Sequence, residues 1–105
     1  LLKKAIEFAN GKKEHVVVIS IPDYSVTSHA KAMDTEKISK EIDVFNNVNK
    51  ALTIQYKVHY ADITPGSRVA QNDPELVAQD GLHPSGKEYA KWSEKGVERI
   101  ISQLK

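Results

Sequence analysis

The run VVVISI, residues 16–21, decides the fold. Five of its six residues are apolar and β-branched and only Ser20 interrupts them, so it reads as a strand covered on both faces. Such strands belong to parallel sheets lined by helices, whereas a half-wet antiparallel strand would alternate apolar with polar. Pro22 ends the strand, because proline has no N–H to give to a ladder. The loop PDYSVTSHAKAM follows at residues 22–33.

Downstream, Asp34 is placed to cap a helix and Glu36 suits the positive end of its dipole. Ile38, Ile42, Phe45, Val48 and Leu52 then recur every three or four residues, which predicts one apolar stripe facing the sheet. YKVHYADI, residues 56–63, alternates and is bounded by Thr64-Pro65-Gly66, the pattern of a second strand. Strand, helix, strand is a βαβ unit, whose parallel strands place their carboxyl ends at one edge. Open α/β sheets bind ligands there.

The connection from Thr64 to Pro84 is long enough to be functional, and Asp73-Pro74-Glu75-Leu76 predicts a short helical turn within it. Ser85 and Glu88 have the spacing of a capping box. They open a final helix predicted to bury Tyr89, Trp92, Val97, Ile100 and Leu104, with Gly96 as a point of close packing. At the other end, a helical pattern at Leu2, Ile6 and Ala9 stops at Asn10-Gly11 but starts with neither a cap nor an initiator Met, so further sequence is expected upstream.

One small domain fits in 105 residues, and 40% hydrophobic with 28% charged residues is ordinary globular composition. A net charge of +1, with lysines dispersed among acids, gives no reason to expect a nucleic-acid partner. No apolar run is long enough to predict a membrane span. The absence of cysteine excludes disulfides, thiolate metal sites and cysteine nucleophiles and leaves the compartment open.

The chemistry-bearing stretch is QDGLHPSGKEYAKW, residues 79–92, which sets Asp80 three places before His83 at the threshold of the final helix. Histidine can take and return a proton near neutral pH. In a hydrolytic triad a carboxylate holds one ring nitrogen while the other deprotonates a serine hydroxyl. Gly81 gives the turn its backbone freedom, and Pro84 braces it. The plainer reading is an Asx-turn at Asp80 with His83 at a helix entrance.

DGLHPSGKEYAKW resembles the last block of the SGNH hydrolases, the GDSL-like lipase/acylhydrolase family, in which D-x-x-H-P precedes a helix. VVVISIPDYSVT and YADITP are similar to the fourth and fifth strands of that fold with their loops. The resemblance implies a three-layer α/β/α sandwich with a parallel, flavodoxin-like sheet, of which residues 1–105 are the C-terminal portion of a single domain. It implies a serine esterase in which Asp80 is the triad acid and His83 the general base, with no metal or organic cofactor. The family's G-D-S nucleophile block and its oxyanion-hole Gly and Asn blocks are absent from this sequence, so the N-terminal half or a companion chain is expected to supply them. The implied partner is a small-molecule ester, acyl or acetyl, carbohydrate esters included. The alternative is a non-catalytic α/β module that keeps the fold without the nucleophile.

Other candidates read more plainly. Ser20 falls in the buried strand and Ser25 in an ordinary turn, neither in a nucleophile motif. Tyr24 either lines the acyl pocket or plugs its loop onto the sheet. His59 and Asp62 repeat the His/Asp spacing and, with Asp80 and His83, could be drawn as a metal site, but residues three apart on a strand point to opposite faces, so His59 and Asp62 are not expected to converge. His15 and His29 read as surface or loop residues.

Overall fold

The computed structural model describes residues 1–104, with side chains through residue 102. Its elements are α1 (Leu2–Phe8), β1 (Val17–Ile19), α2 (Thr35–Tyr56), β2 (His59–Ala61), α3 (Thr64–Ser67) and α4 (Gly86–Leu104), linked by short 3₁₀ turns. The strands pair in parallel, Val17 with His59, Val18 with Tyr60 and Ile19 with Ala61, so the chain is a mixed α/β structure built on a βαβ unit. No helix among the described residues is long and apolar enough to cross a membrane.

Local signals place the element ends. Asn10 and Gly11 take positive φ values of 55° and 77° after α1, as an Asn-Gly stop requires. The Asp34 carboxylate accepts from Lys37 N at 3.1 Å and caps α2. At the start of α4, Ser85 Oγ accepts from Glu88 N at 3.3 Å. The returning half of that capping box is not made. Glu88 turns inward instead, only 2% exposed, where its Oε1 accepts from Trp92 Nε1 at 2.8 Å and its Oε2 lies 3.4 Å from Lys91 Nζ.

Both strands are shorter than their patterns predict. Residues 56–58 go to the end of α2 and to its left-handed cap at Lys57, and Ser20 and Ile21 leave β1 for a side-chain network. The predicted two-sided burial of β1 also needs correcting: Val16 and Ser20 are buried, Val17 and Val18 half-buried, and Ile19 is exposed. A two-stranded sheet covers little, and the second edge of β1 has no strand beside it among the described residues.

The helix stripes shift for the same reason. Ile42, Asn46 and Thr53 are the buried positions of α2, whereas Phe45 (64% exposed), Val48 and Leu52 face outward. On α4, Trp92 and Ile100 are half-buried but Tyr89 and Val97 are exposed, and nothing lies within 4 Å of a Cβ at Gly96, so that glycine marks no close packing. The expectation for Leu104 falls outside the described side chains. The radius of gyration is 15.0 Å, against about 13 Å for a compact chain of this length.

Polar groups take over much of the core. Asn46, on the inner face of α2, accepts from Ile21 N at 2.9 Å and donates to Thr64 Oγ1 at 2.8 Å. Ser20 Oγ donates to Asp62 at 3.0 Å and accepts from Ile63 N and Thr64 N at 2.8 and 3.1 Å. These bonds satisfy the peptide groups where both strands run out and fix the edge of the sheet on which the loops stand.

Candidate active site

The connection after β2 is ordered from end to end. It runs through α3, a 3₁₀ turn at Arg68–Gln71 and another at Pro74–Leu76, where Asp73 accepts from Glu75 N at 3.1 Å. Residues 77–84 then fold back on themselves. Val77 and Pro84 form an antiparallel bridge, Ala78 N donates to His83 O at 2.8 Å and Ser85 N donates to Leu76 O at 3.0 Å. The tip of this loop carries Asp80 and His83. Lys87 Nζ, 2.9 Å from Glu75, ties the start of α4 to the preceding turn.

At the tip, one carboxylate does two jobs. Asp80 Oδ1 accepts from Leu82 N and His83 N, both at 2.9 Å, which makes the Asx-turn of the plainer reading. Asp80 Oδ2 lies 2.5 Å from His83 Nδ1, so the turn and the dyad coexist in the same residue. Gly81 sits at φ 73°, left-handed backbone that a side chain rarely adopts, and this bend brings His83 back over Asp80. Hydrogen bonds from the His83 ring and from the Leu82 and His83 peptides hold the Asp80 carboxyl down at about 2, so it is ionised throughout the neutral range.

An ionised Asp80 at Nδ1 makes the neutral ring an Nδ1–H tautomer with its lone pair on Nε2. The structure records no hydrogen bond to Nε2 among the described residues, and the His83 side chain is 69% exposed. A dyad so arranged can accept a proton from a group brought to it. None of the eight serines of this chain has its Oγ hydrogen-bonded to His83, and each is engaged elsewhere. Ser20 donates to Asp62, Ser25 and Ser39 to Asp23, Ser28 to Gly81 O, Ser67 to Thr64 O, Ser93 to Tyr89 O and Ser102 to Arg99 O, while Ser85 caps α4.

Two hollows flank the dyad loop. A small apolar cavity of about 50 Å³ is walled by Tyr24, Val26, Leu76, Leu82, Pro84 and Trp92. A larger cleft of about 610 Å³, lined by Thr27, Ser28, Lys31, Gln71, Gln79 and Gly81 among others, opens between the loops that follow the two strands. Tyr24 is exposed and shares the small cavity with Leu82 and Pro84, the neighbours of His83.

His59 and Asp62 stay apart. The buried His59 ring has Nε2 3.0 Å from Glu14 O, while Asp62 accepts from Ser20. Among the described residues no three His, Asp or Glu side chains gather as a metal site.

Sequence reading missed a second acid–base pair. Asp23, 3% exposed, accepts from Ser25 N at 2.9 Å, Ser25 Oγ at 2.5 Å, Ser39 Oγ at 2.6 Å and Arg68 Nε at 2.9 Å. Burial alone would push its carboxyl up, but the hydrogen bonds from Ser25, Ser39 and Arg68 outweigh it and leave the group below its usual range. Ser25 is therefore no ordinary turn residue. One signal was available: of fifteen basic residues only Arg68 and Arg99 are arginines, and a guanidinium among lysines suggests a forked, geometry-dependent pairing. No family model matches the chain, and no curated protein or solved structure matches it either.

Proposed function

We propose that this chain supplies the acid and the base of a Ser-His-Asp ester hydrolase of the SGNH type, within a three-layer α/β/α domain. The observation that carries the reading is the 2.5 Å contact from Asp80 Oδ2 to His83 Nδ1 in a turn that leaves Nε2 open to solvent. Its place supports the same reading, since the dyad loop follows the strand pair on the side of its carboxyl ends.

The nucleophilic serine comes from sequence outside these 105 residues, in the same polypeptide or a companion. The open edge of β1 and the outward apolar residues Phe45, Val48, Leu52 and Ile19 are the surfaces left for that part of the domain to cover. His83 Nε2 takes the serine proton as the oxygen attacks the ester carbonyl and returns it to the leaving alcohol, while Asp80 holds the ring and balances the imidazolium. The substrate is an acyl or acetyl ester, carbohydrate esters included, and Tyr24 stands where it can border the acyl group.

The test is hydrolysis of p-nitrophenyl acetate by the complete protein. His83→Ala is expected to lower kcat by roughly 10⁴-fold or more. A loss of less than about tenfold removes His83 from the chemistry, and no hydrolysis by the unmutated complete protein favours the non-catalytic α/β module instead.

A further inference from the structure

Resting on the reading of Asp80 and His83 as the catalytic pair, we infer that the pairing of buried Asp23 with half-buried Arg68 is the positioning device that sets the dyad turn against the sheet. Neither residue touches a reacting atom; both act through the loop at residues 23–30.

The near end of that loop is locked by ions. Besides its four donors, Asp23 gives its own N–H to Ser67 Oγ at 2.9 Å. Arg68 Nη2 reaches past it to Asp43 at 2.8 Å, so the pair fastens the loop after β1 to α2 and to the segment after β2 at once. A buried carboxylate is costly to desolvate, and an apolar plug would close an ordinary loop as well. What the charge adds is one defined geometry, because the fork of Arg68 and the hydroxyls of Ser25 and Ser39 all converge on a single group.

The far end of the loop grips the dyad turn. His29 N and Ser28 Oγ both donate to Gly81 O, at 3.1 and 3.3 Å, and that carbonyl lies midway between Asp80 and His83. Contact is close enough that the space for a Gly81 Cβ is already taken by Ser28 Oγ. From within, the turn is held by the Asp80 carboxylate and by Ala78, whose N–H donates to His83 O at 2.8 Å and whose carbonyl accepts from Gly81 N at 3.0 Å. These two hydrogen bonds to Gly81 O, handed on from Asp23 and Arg68, fix the turn to the loop after β1.

The test reads the His83 tautomer by long-range proton–nitrogen NMR of the full chain at about pH 8, where a dyad-held ring carries its proton on Nδ1 and a loose ring favours Nε2. Asp80→Asn calibrates the loose limit. Arg68→Ala is expected to cost about half or more of the Nδ1–H population, and Arg68→Lys, which keeps the charge but not the fork, to restore part of it. Should Arg68→Ala fail to fold, Ser39→Ala, which removes one donor from Asp23, is expected to move the tautomer the same way by less. A folded Arg68→Ala, or Ser39→Ala in its place, with the wild-type tautomer overturns the inference. Because the readout needs no ester hydrolysis, an inactive protein with a coupled tautomer counts against the esterase reading alone.

Discussion

Asp80 and Asp23 are both carboxylates held low beside a base, yet they are built in opposite ways. The partners of Asp80 all lie within three residues of it, and its side chain is 50% exposed. Those of Asp23 lie 2, 16 and 45 residues away, and it is buried. A local, exposed pair can meet an incoming group and exchange a proton with it. A buried carboxylate with both oxygens taken by donors, Ser39 and Arg68 among them from far along the chain, has no incoming group to meet and holds other parts in place. The difference separates a site from the frame of a site.

The largest expected break in that comparison is on the exposed side. Asp80→Asn keeps the shape but loses the acceptor that fixes the tautomer, so kcat for ester hydrolysis should fall roughly 10³- to 10⁴-fold, somewhat less than for His83→Ala. Thermal unfolding of the same variant at neutral pH should fall only slightly, because the residue is at the surface and solvent screens the hydrogen bonds it gives up. A large drop in Tm would show that Asp80 belongs to the frame.

The buried side should answer in stability. Arg68→Ala leaves the Asp23 carboxylate short of a charged donor and should cost about 2–3 kcal/mol in urea unfolding, below the figure for a fully buried pair because the guanidinium is a third exposed. A cost near zero would return the Asp23 cluster to the status of a surface ion pair. Asn46→Ala, which strips partners from Ile21 N and Thr64 Oγ1, should follow at about 1–2 kcal/mol by the same method.

These three variants also mark what the sequence made legible. Asp80 and His83 were readable because every contact that makes them a dyad is a short-range one, written into D-G-L-H-P. The caps at Asp34, Asp73 and Ser85 were readable for the same reason. Arg68 and Asp23 were not, since nothing in either neighbourhood states that they meet across 45 residues. Nor were the buried faces of the helices. The apolar stripe through Phe45 and Val48 predicts a covered face, but in this chain the covered face is the one through Ile42, Asn46 and Thr53. Periodicity reports which side of a helix suits a core and says nothing of which neighbour is present to make one.

A smaller effect sharpens the comparison through pH. The Asp80 carboxyl titrates at about 2 in the folded chain against an ordinary 3.8, so the folded state binds its proton less readily than the unfolded one. Its contribution is complete above about pH 4 and fades as pH falls through about 2. Asp23, also held low, adds a loss of the same sign. In acid titrations followed by circular dichroism, Asp80→Asn should flatten the decline between these limits and leave the part owed to Asp23. An unchanged profile would mean that the Asp80 turn carries no weight in the fold.

The most direct test of the central claim is labelling of the complete protein with a fluorophosphonate, which reacts with an activated serine, read by peptide mass spectrometry. The account predicts one labelled serine outside these 105 residues, in the same polypeptide or a companion, with labelling abolished by His83→Ala. No labelled serine, or labelling that survives His83→Ala, would contradict it.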